Sequence, residues 1–354
     1  MKNSDAITNA ARDRNNQLLN AHRDQLIELE PKYLLQMAHL TTPATVWKYV
    51  ESAVTKSKAN LVMLDFEDSI PRDNPELLEQ GRANVIRALN ELDWGSRLRF
   101  FRPRGLELDP AHSDIAAIVR AAGSKLDGLI YPKIESADEV RSIDETLSGL
   151  EAELDLHRGA IRIEPLIESA SAEEAVFEIA RASRRLVGLV FGSYDYWASL
   201  GMGASSYRAD HPLIAQARGR IVKAAASVGI PAIAEMTTNY PTRDKSDDER
   251  RAAMEEFQSD ALLARDFGFA GKWTGIPDQT AMAVEIFQTP DEEIERAISE
   301  AKQFLEAEAA GRGATMIGGK MADRATDRLN RNTLKKAYAM GRIDKDAAKE
   351  LGLI

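Results

Sequence analysis

The feature that most restricts this chain is an alternation repeated along most of its length: a short run of β-branched and other apolar residues, then a longer amphipathic stretch, then another run. The runs fall at 33–39, 61–68, 97–104, 128–135, 160–169, 186–195, 230–236 and 268–275. Runs of this length read as buried strands, and intervening stretches such as 44–56, 76–92, 111–122 and 137–150 carry helical spacing. Strand and helix alternating in units of roughly 25 to 45 residues is the βα rhythm, which implies parallel strands covered by helices. Eight such units over about 250 residues close into a (β/α)8 barrel. An open doubly wound sheet is the alternative, but no Gly-x-Gly-x-x-Gly turn follows any run, so the dinucleotide fingerprint is missing. The predicted class is α/β: a TIM barrel over 31–289, followed by a helical extension over 290–354.

The flanks are different in kind. Residues 1–30 are polar, with only short apolar faces at Gln17-Leu18-Leu19 and Leu26-Ile27, and read as a helical or partly disordered arm. They contain no apolar export segment, and Asp5, Asp13 and Asp24 are unlike a transit peptide, so a cytoplasmic location is expected. No apolar run approaches the roughly 20 residues that span a bilayer. A net charge of −10 opposes binding to nucleic acid or an anionic membrane surface. With Cys 0, disulfides, thiol nucleophiles and cysteine-ligated metals are excluded. Beyond the last run, Pro290-Asp291-Glu292-Glu293 opens a helix to about Ala310, Gly311-Arg312-Gly313 breaks it, and Gly318-Gly319 makes a second flexible point. A helix over 324–340 follows, then a short one near the end. Helices hinged on glycines after a complete barrel serve as an active-site lid or an oligomer arm.

The candidate chemistry lies where the runs end. Leu166-Ile167-Glu168 and Phe191-Gly192-Ser193-Tyr194-Asp195 each finish in a carboxylate, placing Glu168 and Asp195 at the carboxyl ends of successive strands. That rim is where barrels react. Two hard anionic oxygen donors suit Mg2+, which leaves its other positions to water and substrate. The competing reading of Glu168 is a cap for the helix opening at Ser169-Ala170-Ser171. The second run ends Asp65-Phe66-Glu67-Asp68: either a solvated loop, or Glu67 and Asp68 orienting cationic groups or metal-bound water, with Asp65 in the wall. In the third, alternation puts Arg102 and Arg104 on one face; Arg102 reads as a bidentate carboxylate clamp and Arg104 as a surface residue with a packed stem. Lys133, in Tyr131-Pro132-Lys133-Ile134-Glu135, is a Schiff-base candidate unless it pairs with Glu135, which would keep it charged. The five histidines show no metal-ligand spacing, and no Gly-x-Ser-x-Gly elbow occurs.

Taken in order, 64–71 (Leu-Asp-Phe-Glu-Asp-Ser-Ile-Pro), 131–135, 166–170, 191–195 and Gly271-Lys272-Trp273 resemble the HpcH/HpaI aldolase and citrate lyase β-subunit-like family. Gly318-Gly319-Lys320-Met321-Ala322-Asp323 is similar to the C-terminal segment of its malyl-CoA and β-methylmalyl-CoA lyases. The resemblance implies a TIM barrel with Mg2+, or Mn2+ in its place, on Glu168 and Asp195. It implies Arg102 as the substrate-binding and catalytic arginine, with Glu67, Asp68 and Lys133 beside the substrate. Asp323 would be the catalytic acid/base, delivered on the lid by a neighbouring subunit of a homotrimer or homohexamer. The implied reaction is cleavage or formation of a 3-hydroxyacyl-CoA, malyl-CoA or citryl-like, from an acyl-CoA thioester and a small 2-oxo acid such as glyoxylate. The alternatives are a metal-dependent aldolase on free 4-hydroxy-2-oxo acids and a malyl-CoA-type thioesterase. Three departures bear on substrate: residues 32–39 stand where the family's first strand ends Val-Pro-Gly, Arg104 replaces an Asn, and Ile276-Pro277 replaces His-Pro.

Overall fold

The computed structural model describes residues 12, 14–20, 25–71 and 74–354; most of the arm expected over 1–30 lies outside these, and 14–20 are helical. Eight parallel strands close into a barrel in chain order: β1 Ala38–Pro43, β2 Leu61–Asp65, β3 Leu98–Arg102, β4 Gly128–Tyr131, β5 Arg162–Ile167, β6 Leu189–Phe191, β7 Ala232–Ala234 and β8 Gly271–Thr274, with β8 pairing back onto β1. Their residues are almost all buried, as strands with side chains on one face and helices on the other must be. Register decides which side chains meet inside: Thr41 stands opposite Met63, Asp65 opposite Arg102, and Ile130 opposite Glu164. Phe100 is paired with Gly128, where a Cβ would come within 2.6 Å of the phenyl ring. No described helix is long and apolar enough to cross a membrane.

The predicted strands are confirmed in number and order, but the first is displaced. Residues 31–34 form a 3-10 turn opened by Pro31, and the strand begins only at Ala38. Tyr33 is nonetheless buried, so the apolarity of that stretch reflects packing of the turn. The other strands are shorter than the apolar runs, and β2 and β3 end on the charged residues Asp65 and Arg102 themselves. Glu67, Asp68, Lys133 and Glu168 stand in the loops immediately past the carboxyl ends of β2, β4 and β5, and Asp195 in the first turn of the helix that follows β6.

Low in the barrel sits a fully buried polar trio. Gln36 Nε2 donates to the Val187 carbonyl (2.8 Å), so its Oε1 is the acceptor facing His39 Nε2 (2.8 Å). His39 thus carries its proton on Nε2, and Nδ1 turns a lone pair toward Glu164 Oε2 at 3.6 Å. Burial pushes the Glu164 carboxyl up to about 8 and the His39 imidazole down to about 3, so both are neutral near pH 7.

The described chain forms two compact units. One contains the barrel, Gln36–Val284; the other joins Glu30–Leu35 to Glu285–Ile354. In the second, helices Asp291–Ala309, Arg324–Ala339 and Lys345–Glu350 bury Ile294, Ala301, Leu334, Ile343 and Leu351 in a core of their own. Where a flexible point was expected at Gly318-Gly319 there is instead the turn of an antiparallel hairpin, β9 Ala314–Ile317 and β10 Lys320–Asp323. Both glycines have positive φ, 56° and 77°, as the tight turn joining twisted strands requires.

Candidate active site

Arg102, the last residue of β3, is the hub of the β2–β3 side of the rim. Its Nε and Nη2 engage Asp65 bidentately (2.6 and 2.9 Å), Nη1 reaches Glu67 Oε2 (2.8 Å), and Nη2 also reaches Asp68 Oδ2 (3.2 Å). The guanidinium lies over the Trp273 ring, 5.3 Å from its centroid. Burial disfavours its charge, but Asp65, Glu67 and Asp68 more than offset this and hold its pKa above the ordinary arginine value. The bidentate partner of Arg102 is therefore Asp65, a residue expected in the wall, in the place expected for a substrate carboxylate. Asp65 also accepts the N–H groups of Glu67 (3.0 Å) and Ser69 (3.2 Å), which shapes the loop. The signal that would have found it is the strand register that sets Asp65 beside Arg102.

Lys133 links that cluster to the next two loops. Its backbone is left-handed, φ 51°, a conformation costly for a side chain other than glycine. In return its N–H donates to Glu168 Oε1 at 2.6 Å, and its ammonium lies 3.4 Å from Glu67 Oε1, 3.4 Å from Asp195 Oδ1 and 4.0 Å from Glu168 Oε1. The expected Lys133–Glu135 pair is not formed. The left-handed turn aims the lysine across the rim, and Glu135 instead accepts the Ser169 hydroxyl (2.9 Å). Burial opposes the ammonium charge, but Glu168, Glu67 and Asp195 outweigh it and raise its pKa. A lysine so held is a counter-ion and a poor nucleophile.

Glu168 is buried beside that ammonium, and Ser169, not Glu168, caps the helix Ala170–Glu174 through the N–H of Ala172 (3.0 Å). Burial pushes the Glu168 carboxyl up to about 8, Lys133 pulls it down, and Glu67 and Asp195 add to the rise. Room for it comes from Gly192, where a Cβ would stand 2.6 Å from the Glu168 Cβ. Burial likewise raises the Glu67 carboxyl, against the pull of Arg102. Asp195 occupies the first turn of the helix Ser193–Ser199 with its side chain 53% exposed. A cleft of about 270 Å³ opens beside Glu67 and Lys133, walled by Gly105–Leu108, Glu135 and Glu139.

Glu168, just past β5, and Asp195, in the helix after β6, thus face one cationic position, the Lys133 ammonium. A buried carboxyl raised by desolvation and by like charge is stabilised as the anion by a cation, and the donors are hard oxygens; both properties fit a divalent ion. Among the described residues no three Asp, Glu or His side chains are arranged to ligate a metal without help, so such an ion would take further ligands from water or substrate. Arg104 does not point to solvent: it pairs with buried Asp114 (2.7 Å), which also holds Arg82. Asp323 ends β10 in the second unit and caps Arg324–Ala339, accepting the N–H groups of Ala325 (2.9 Å) and Thr326 (3.1 Å). Those bonds, led by that from Thr326, hold its pKa below the usual carboxylate value.

Residues 44–272 match the HpcH/HpaI aldolase/citrate lyase family. The L-malyl-CoA/β-methylmalyl-CoA lyase of Cereibacter sphaeroides is 32% identical over 76% of this chain and 85% of its own length. The (3S)-malyl-CoA thioesterase of the same species is 28% identical over 86% of this chain and 98% of its own. The CitE protein of Mycobacterium tuberculosis, crystallised with magnesium, acetoacetate and coenzyme A, shares the fold with a TM-score of 0.58 at 23% identity, covering 85% of this chain and 97% of that one. The match over 44–272 and the lyase relative settle the family: the chain belongs to the HpcH/HpaI aldolase/citrate lyase family of carbon–carbon lyases.

Proposed function

We propose that this lyase cleaves or forms the carbon–carbon bond of a 3-hydroxyacyl-CoA such as malyl-CoA, using a divalent ion, Mg2+ or Mn2+, at Glu168 and Asp195. The observation that carries the reading is the convergence of these two carboxylates on one cationic position beside the immobilised Arg102. The ion those residues would hold supplies Lewis-acid polarisation of a 2-oxo acid carbonyl when bound. Arg102, fixed by Asp65 and Glu67, provides positive charge that needs no reorganisation as negative charge develops on the substrate. Lys133 screens the carboxylates from one another.

The acid/base is Asp323, carried on the second unit of a neighbouring subunit in a homotrimer or homohexamer. In condensation it takes a proton from the α-carbon of the acyl-CoA, and the resulting enolate attacks the 2-oxo acid. In cleavage it takes the hydroxyl proton of the 3-hydroxyacyl thioester, and the bond electrons return to the acyl fragment as an enolate. The substrates lie beside Arg102, Glu67, Asp68 and Lys133.

The test is incubation with Mg2+, glyoxylate and either acetyl-CoA or propionyl-CoA, followed by mass spectrometry. Condensation product is expected, and its loss on adding chelator or in Glu168→Gln. Full activity in chelator would refute the metal assignment. The thioesterase relative favours a second reading, in which the same base activates water. Free CoA released from malyl-CoA without glyoxylate would favour that reading over the lyase.

A further inference from the structure

Asp195 stands on seven residues of helix, too few to hold their shape unaided. Its flanking residues are fastened by contacts that the reaction does not use. The hydroxyl of buried Ser193 shares a hydrogen bond with Tyr207 Oη (2.8 Å), and Tyr194 Oη shares one with Thr238 Oγ1 (2.7 Å). The Tyr194 and Tyr207 rings stack, centroids 4.3 Å apart at 23°. Trp197 meets Tyr207 edge-on at 6.0 Å, and its indole N–H donates to the Gly203 carbonyl (3.0 Å).

The far end of the Tyr194 bridge is anchored in the layer between sheet and helices. Thr237, next to Thr238, donates its hydroxyl to Asp260 Oδ2 (3.0 Å), and buried Asp260 is gripped by Lys272 (2.6 Å) and Arg218 (2.6 Å). Lys272 is on β8 and also donates to the Glu235 carbonyl just past β7 (2.6 Å). A network with this many charge-assisted bonds does not move with the rim. Tyr194 therefore ties the short helix of Asp195 to a rigid support, one residue away from the carboxylate.

We propose that Tyr194 is a positioning residue for Asp195: its hydroxyl, held by Thr238, fixes the short helix after β6 against the segment after β7 so that the Asp195 carboxylate faces the same position as Glu168 before any ion arrives. The inference rests on the divalent-ion reading above. Partners behind a metal ligand typically contribute 10- to 100-fold in affinity.

The experiment measures Mn2+ binding to the full chain by electron paramagnetic resonance of the free ion, with thermal unfolding followed in parallel. Tyr194→Phe keeps the ring stack and removes the bridge; Thr238→Val removes it from the other side, and Thr238→Ser restores it. Each of the first two is expected to weaken Mn2+ about tenfold, with Thr238→Ser near wild type. The double variant is expected to be no weaker than either single, since both delete one bond. Unchanged Mn2+ affinity in Tyr194→Phe, whatever its melting temperature, overturns the proposal, as do additive losses in the double variant. Wild-type protein that binds no Mn2+ overturns the divalent-ion reading itself and this inference with it.

Discussion

Replacing Glu164 by Gln isolates one proton in the barrel. In the wild-type fold the His39 Nδ1 lone pair faces Glu164, and burial pushes that carboxyl up to about 8 from its ordinary 4.5. A carboxyl whose folded pKa is raised stabilises the fold fully below the unfolded value and loses that contribution as pH climbs to the folded value. Between the two, folding takes up nearly one proton, which costs about 1.4 kcal/mol per pH unit. From pH 4.5 to 7 the loss amounts to about 3 kcal/mol. Glutamine presents an N–H to the same lone pair and has no proton to take up. The stability of Glu164→Gln relative to wild type should therefore rise by about 3 kcal/mol between pH 4.5 and 7 and level off above about pH 8. Urea unfolding of both proteins at each pH measures this, and pH effects from elsewhere in the chain cancel in the difference. A difference that stays flat across this range would refute the protonated Glu164.

On the acid side His39, depressed to about 3, predicts the opposite slope: stability falls as pH drops below 6.5, and a His39→Gln variant loses that part of the dependence in the same titration. Arg102→Lys cannot reproduce the bidentate grip on buried Asp65, so a loss of roughly 3 kcal/mol in unfolding free energy is expected, along with turnover. Gly192→Ala drives a methyl into Glu168; about 1–3 kcal/mol of destabilisation and weakened Mn2+ binding should appear together, and native values of both would show that the loop gives way freely. Asp323→Asn preserves a good cap and hence the melting temperature, while turnover collapses. Mixing Asp323→Asn with Glu168→Gln subunits should then recover activity through the sites that combine an intact rim with an intact Asp323; no recovery would argue for an acid/base acting within its own chain.

Much of this molecule can be read locally. The alternation of apolar runs with helical spacing determines a parallel barrel, because each unit buries its own strand and covers it with its own helix. The rim position of Glu67, Asp68, Lys133, Glu168 and Asp195 is equally legible, since each stands within a few residues of the end of an apolar run. The start of β1 was not: Tyr33 and Leu34 are apolar whether they pack as strand or as a 3-10 turn, and only Pro31 hints at the latter. The hairpin over 314–323 is mostly exposed and shows no buried-strand pattern, so its glycines looked like a hinge.

What the tertiary structure alone decided is who partners whom. Asp65 meets Arg102 because β2 and β3 pair in one register and not in another, and Lys133 turns from Glu135 to Glu67 and Asp195 because its backbone takes a left-handed turn at the rim. Sequence spacing specifies which face of its own strand a residue occupies. It cannot specify the stagger between strands some 35 residues apart, which is settled by closure of the whole cylinder, and electrostatic partnership at the rim follows from that stagger.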